Sequence, residues 1–422
     1  MSYSRRVIDD ALDELFPHLA AIAIEGAKGV GKTMTATQRA VARVNLANRA
    51  QRLVIQANPN YVVTLAKPTF IDEWQLVPDV WEEVKASVDG DHAGGQFLLA
   101  GSAGLDPAIR VHSGAGRIVS MTMRPMGLSE RGLVQPTVSM RSLLGGEVRI
   151  SGDSPMALPD YVDAIVSSGF PALRGLPPRA LNTALDSYIQ RVIHHDLEEN
   201  GLSVRRPQAL LAWLTAYAAA TSTVASYNSI LDAATPGDSE KPARQTVTSY
   251  REALTRLFML DPVPAWLPAL SPLKRLAQAP KHHLVDPALA ARLTGATRES
   301  LLRGEGPARP GTDATLLGAL FESLATQAVR VLAEALGVRL SHLRTRGGEH
   351  EIDLIIEAAD RRVVAFEVKL SGAIDDRDVR HLHWLREQIG DRLIDSVVLS
   401  SGPIAYRRPD GVAVVPLALL GP

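Results

Sequence analysis

The sequence predicts an α/β chain of three successive domains, and three observations predict it. Short apolar runs alternate with helical spacing up to about residue 155, residues 156–310 keep almost only helical spacing, and strand-like runs return from residue 311. Strands interleaved with helices indicate a parallel sheet. At about 150 residues per domain, a chain of 422 residues has room for two to four domains. The expected boundaries are 1–155, 156–310 and 311–422.

In the first domain, residues 21–25 form a strand candidate ending at Gly26, and residues 33–47 show helical spacing. Residues 52–56, 69–72 and 96–100 are further strand candidates, and the Gly, Ser and Pro of 145–160 suggest a connection. The second domain carries helical spacing over 160–168, 179–197, 207–220, 224–233 and 243–258. It then breaks at Pro262, Pro264, Pro268 and Pro272, and a loop is expected over 303–312. The third opens with a helix over 316–336. Strands follow at 339–344, 351–357 and 363–369, then a helix at 376–389 and strands at 395–400 and 412–416.

The most specific motif is Gly26-Ala27-Lys28-Gly29-Val30-Gly31-Lys32-Thr33, a full GxxxxGK[ST] between a strand and a helix. Small residues let such a loop wrap phosphates so that backbone N–H groups point inward, and the helix N-terminus adds a positive dipole end. Lys32 is expected at the β and γ phosphates of ATP and Thr33 on Mg²⁺. Phe70-Ile71-Asp72-Glu73 supplies the expected metal carboxylate, Asp72, and a base for the attacking water, Glu73. Ser102, at the tip of the next strand, is either a γ-phosphate sensor or a helix-capping serine. Arg117 or Arg124 is the candidate for transition-state charge, reaching within the chain or into a neighbouring copy in a homo-oligomer. Trp74 and Trp81 flank the acidic turn and are expected to pack.

The strings KPTFIDEWQLVPDVW, FLLAGSA, HSGAGR, MRPMGLSE, SSGFPAL and LFMLDPVPAW resemble the AAA-type P-loop ATPases of bacteria and archaea that carry a C-terminal domain of unknown function. The resemblance runs nearly end to end. It implies a P-loop AAA-type ATPase domain, with Lys32, Thr33, Asp72 and Glu73 in the usual ATPase roles, and a winged helix in the middle domain. It does not imply a biological pathway.

Within the middle domain, residues 224–266 run helix, Gly/Pro-bearing loop, helix, then extended segments, which also suits a winged helix-turn-helix. Polar residues early in the second helix (Arg244, Gln245, Thr246, Ser249 and Arg251) would face a nucleic-acid groove. Residues 241–283 hold seven basic residues (Lys241, Arg244, Arg251, Arg256, Lys274, Arg275, Lys281) against Glu252 and Asp261, 7 − 2 = +5 in a chain of 45 − 46 = −1. Contacts to DNA phosphates would follow. The other reading is a module used for packing or protein contacts.

The third domain places Asp353 on one strand and Glu367-Val368-Lys369 on the next, with Glu322 on the preceding helix. Glu367 and Lys369, two apart, share a face. This order resembles the PD-(D/E)xK, restriction-endonuclease-like α/β fold. By that resemblance Asp353 and Glu367 would hold Mg²⁺ or Mn²⁺, and Lys369 would activate water. An active nuclease, an inactive binding platform and plain solvated acids all remain open here. His350 and Ser371 lie close enough in sequence to touch a substrate, whereas His194, His195, His381 and His383 are expected to be structural.

Composition narrows the partners. There is no cysteine, so disulfides, thiolate metal sites and cysteine nucleophiles are excluded, and any metal must be held by carboxylates. Residues 1–16 lack the long apolar run of a secretory signal. The uncharged stretch 207–230 is too rich in small polar residues for a membrane span. The expectation is a cytoplasmic chain that engages ATP and DNA, with a nucleotide-dependent protein-binding switch as the alternative.

Overall fold

The computed structural model describes residues 3–102, 116–146, 148–235, 244–267, 279–307, 309 and 315–422. Five parallel strands form the first sheet: β1 (Ala21–Glu25), β2 (Ala42–Asn45), β3 (Thr69–Asp72), β4 (Phe97–Gly101) and β5 (Ile118–Thr122), in the order β2-β3-β4-β1-β5. β1, β3 and β4 are buried almost throughout, as expected of central parallel strands covered on both faces. Trp74 and Trp81 pack with ring centroids 4.5 Å apart and planes tilted by 32° within the core on one side of this sheet, as their sequence position predicts.

Two sequence expectations fail here. The helix after the P-loop spans only Lys32–Thr37, because residues 42–45 pair with β3 as an edge strand. The predicted strand over 52–56 lies in a helix, Arg49–Ala57, whose N–H groups Ala50 and Gln51 are capped by the Asn48 side chain. Its apolar run misled the period-2 reading, since only Ile55 is buried while Leu53 and Val54 are exposed.

The middle of the chain is helical: Leu158–Val166, Pro178–Arg191, Pro207–Ala219, Tyr227–Ala234 and Arg244–Arg256. Pro178 and Pro207 open their helices, where a missing N–H costs little. The second of these helices continues through a π-helical turn, Val192–Asp196. After the fifth, residues 260–263 and 281–284 run antiparallel, bridged at Leu260 to Leu284 and Val263 to Lys281. Part of the basic window (Lys241, Lys274 and Arg275) lies outside the described residues, as do residues 112–115 of the HSGAGR string and Pro268 and Pro272.

The second sheet has seven strands: β7 (Gly152–Asp153), β8 (Arg339–Arg344), β9 (Glu351–Glu357), β10 (Val363–Lys369), β11 (Leu393–Ser400), β12 (Ile404–Arg407) and β13 (Ala413–Pro416), in the order β7-β12-β13-β11-β10-β9-β8. Strands β8 to β10 match the sequence prediction residue for residue. The stretch expected as a connection is partly built into this half of the molecule, since β7 pairs with β12. A short strand just before it, β6 (Val138–Ser139), pairs in parallel with β14 (Leu420–Gly421).

The helix Leu316–Ala335 lies at the centre. Thr315 caps it, and 89% of its most apolar 18-residue window is buried. It is the one described helix long and apolar enough to cross a membrane, and here it packs against the helices Val7–Leu15 and Leu158–Val166 and strands β8 and β10. One continuous apolar cluster therefore runs from Val7 to Leu420.

Candidate functional site

The P-loop sits at the C-terminal end of β1, the usual place for ligands on an open parallel sheet. Gly26 and Gly31 adopt φ of +148° and +108°, conformations in which a side chain is strained. A Cβ on Gly26 would also collide with the Met123 carbonyl oxygen. The loop is braced from behind by Arg6. Its guanidinium donates to the Val30 carbonyl at 2.8 Å and the Arg124 carbonyl at 2.9 Å, and pairs with Glu130 at 2.9 Å, with both residues buried. Sequence reasoning missed this brace because Arg6 is 118 residues from Arg124 and 124 from Glu130.

Lys32 is buried and donates to the Gly26 and Ala27 carbonyls at 2.6 and 2.9 Å. Burial lowers its ammonium to about 8, against the opposing pull of Glu73 and Asp72. Thr33 donates its hydroxyl toward both oxygens of Asp72. Burial raises the Asp72 carboxyl, partly offset by that hydroxyl. Glu73 has φ +53°, an unusual backbone for a non-glycine residue. Its Oε2 accepts from Ser102 Oγ at 3.0 Å and from Gln75 Nε2. Ser102 is buried beside β4 and touches Glu73. Gln75 is an addition that its place in the turn after Glu73 signals only in retrospect.

Two expectations need correction. Arg117 precedes Ile118, which pairs with Ala21 at the far end of β1, and its guanidinium meets Asp89 at 2.5 Å. The structure thus places Arg117 at the end of the sheet opposite the P-loop. Arg124 is buried in ion pairs with Asp261 (2.7 Å) and Glu334 (3.3 Å), which hold its charge. Lys28 pairs its ammonium with Asp196 at 2.6 Å and Glu199 at 3.2 Å, which leaves its backbone N–H as the group expected at the phosphates.

The second candidate site lies between the middle helices and the second sheet, at a cleft of about 600 Å³. The β9–β10 ladder ends at Leu354 and Phe366. Just beyond it, the Val368 N–H donates to Asp353 Oδ2 at 2.9 Å, so Asp353 and Glu367 do converge. Lys369 pairs with Glu367 Oε2 at 2.9 Å, while Glu367 Oε1 is buried with no hydrogen-bond partner among the described residues. Burial and the neighbouring Asp353 push the Glu367 carboxyl well up. Burial also raises Glu322. Burial opposes ionisation of Asp353, but Lys281 and Lys369 outweigh it and hold that carboxyl down.

The centre of this cluster is Lys281. Its Nζ lies 2.9 Å from Glu322 Oε1, 3.0 Å from Glu351 Oε1 and 2.9 Å from Asp353 Oδ1. Its side chain is 1% exposed. Sequence reading placed Lys281 in a DNA-facing basic window. The structure places it inside, where its charge is spent on carboxylates and adds nothing to a basic surface. Arg251 lies 4.5 Å over the Tyr227 ring. His350 stacks on Trp384 at 4.1 Å and meets His381 Nδ1 at 3.4 Å, and Ser371 bonds within its own turn to Ala373.

The two sites differ in their fit to a divalent ion. At the P-loop, the Thr33 hydroxyl and Asp72 carboxylate are hard oxygen donors facing one another, which fits Mg²⁺ completed by phosphate and water. At Asp353 and Glu367 the same donor chemistry is present, but an ammonium stands among the carboxylates, and a divalent ion does not fit while it is there. No group of three or more His, Cys, Asp or Glu side chains arranged for a metal occurs among the described residues.

Residues 19–131 match the AAA domain family. That part of the chain is similar to AAA domains, in keeping with the P-loop it contains. Residues 158–300 match a domain of unknown function (DUF8612), and residues 317–420 match another (DUF4143). No curated protein matches the chain. Among solved structures, the Walker-type ATPase PabY2304 of Pyrococcus abyssi aligns at 12% identity with a TM-score of 0.35, over 69% of this chain and 96% of that one.

Proposed function

We propose that this protein is a Mg²⁺-dependent ATPase whose nucleotide cycle controls engagement of DNA by its middle domain. The observation that carries the first half is the convergence of Lys32, the Thr33–Asp72 contact and the Ser102–Glu73 contact on one end of the sheet. Lys32 would exchange its two loop carbonyls for phosphate oxygens. Thr33 and Asp72 would hold Mg²⁺, which supplies charge neutralisation at the phosphates. Glu73, fixed by Ser102 and Gln75, would take the proton of the attacking water.

The second half is supported by the order of elements 227–284: two helices, then an antiparallel pair, the layout of a winged helix-turn-helix. Gln245, Thr246 and Thr248 are exposed on the second helix. Coupling has a physical route. The central helix carries Glu334, which accepts from the Thr122 N–H of β5 at 2.8 Å, and Glu322, which meets Lys281. Twelve residues of helix span about 18 Å.

Glu73→Gln tests the first half. Phosphate release should fall by about 10²–10⁴-fold with ATP binding retained, and an unchanged rate rejects it. For the second half, DNA should stimulate the ATPase and bind with a steep salt dependence. No stimulation and a flat salt profile favour the alternative, a nucleotide-dependent protein-binding switch. Lys281 favours that alternative for the C-terminal domain, since a carboxylate cluster filled by an ammonium suits binding better than metal-dependent cleavage.

A further inference from the structure

Lys281 Nζ donates hydrogen bonds to Glu322 and Asp353 and forms an ion pair with Glu351, so three carboxylates surround one ammonium. The lysine and the acids come from different parts of the chain. Lys281 lies within the segment matching one family, 158–300, and its backbone is held by two 2.9 Å hydrogen bonds to Val263. Glu322, Glu351 and Asp353 lie within the other, 317–420. The side chain thus crosses from the middle of the molecule into a socket on the second sheet. A second, independent feature points to a cation at this socket. Glu367 Oε1, 3% exposed with its residue, has no hydrogen-bond partner among the described residues. It is an acceptor placed in the same cleft wall.

We propose that Lys281 is the resident cation of this cleft, an internal plug that keeps divalent ions out, and that its removal uncovers a site for Mg²⁺ or Mn²⁺ built from Asp353, Glu367, Glu322 and Glu351. A hard divalent ion takes carboxylate oxygens at about 2.0–2.6 Å, in the space the ammonium now fills. A neutral side chain of similar length would leave the carboxylates with Lys369 on Glu367 and Arg344 on Glu351 as counter-charges, and none on Asp353 Oδ1 or Glu322 Oε1. A metal ion would then be bound in place of the ammonium. The proposal is independent of whether the P-loop hydrolyses ATP.

The test uses the full chain without nucleotide and Mn²⁺ as the probe. In Lys281→Met, Mn²⁺ should raise the thermal midpoint by several degrees and bind at one additional site by calorimetry. Both gains should vanish in the Lys281→Met/Asp353→Asn double variant. A folded Lys281→Met protein that gains no site overturns the proposal. The unmodified protein gives a second measurement that does not depend on the variant's folding. Wild type and Asp353→Asn should bind the same number of Mn²⁺ ions, and one ion fewer in Asp353→Asn overturns the proposal.

Discussion

The Thr33 hydroxyl lies 3.0 and 3.2 Å from the two carboxylate oxygens of Asp72, although Thr33 opens the helix that follows β1 and Asp72 ends β3, two strands separated by β4. The contact brings the two oxygen donors of the expected Mg²⁺ site together before any ion binds. Asp72→Asn keeps the shape and an oxygen acceptor for Thr33 but removes the negative charge from the pair. Steady-state phosphate release should fall by about 10²–10³-fold, the range seen when one electrostatic stabiliser is lost. Nucleotide binding without added metal should be nearly unchanged. Equal rates for both proteins reject the role of Asp72.

Ser102 and Gln75 both donate to Glu73, so on the proposed mechanism they act through it. Ser102→Ala removes one of the two donors to Glu73 Oε2. The expected outcome is a fall in kcat of about tenfold, roughly one hydrogen bond to a charged group, with KM for ATP unchanged. A rise in KM with constant kcat would instead make Ser102 a ground-state contact to the nucleotide.

Lys32 gives ATP binding a pH dependence with a definite sign. Burial lowers its ammonium to about 8, so the free protein loses this proton as pH rises through that value. Phosphates favour the charged form, so binding above pH 8 must take a proton up. Affinity should therefore fall by about tenfold between pH 7 and 9. Calorimetry at the two pH values measures it. Lys32→Arg should show no such slope, since a guanidinium stays charged throughout.

The Arg6–Glu130 pair is a stability prediction. Glu130 also accepts the Val7 N–H at 2.7 Å and the Gly127 N–H at 2.8 Å. Glu130→Ala would strand a buried guanidinium and two backbone donors. Urea unfolding should show a loss of about 3–5 kcal/mol, the cost of breaking a buried ion pair from one side. A loss below 1 kcal/mol would mean that water reaches Arg6.

Local signals carried much of this molecule. The P-loop glycines, the acidic end of β3 and the strands β8 to β10 could all be placed from spacing alone. Apolar runs bounded by turn residues specify such elements wherever both faces are buried. Edge elements were less legible. Residues 42–45 and 52–56 differ little in local pattern, and only pairing with β3 makes the first a strand. Charge was the least legible of all. Lys281 looks like any basic residue in a basic window, and nothing within ten residues reveals that Glu322, Glu351 and Asp353 wait for it. Arg124 and Arg117 show the same limit, since their partners Asp261, Glu334 and Asp89 are fixed by tertiary structure.

The parallel pairing of Val138–Ser139 with Leu420–Gly421 has a consequence for biosynthesis. These partners are separated by about 280 positions in the sequence. At about 5–20 residues per second on the ribosome, β6 waits some tens of seconds for its mate. The AAA-type sheet can be complete long before then, as can its contacts with the central helix, but β6 stays unpaired until residues 420–421 emerge. The molecule is thus closed by a late clasp, so arrested or shortened translation products should keep the nucleotide end while leaving β6 without its partner.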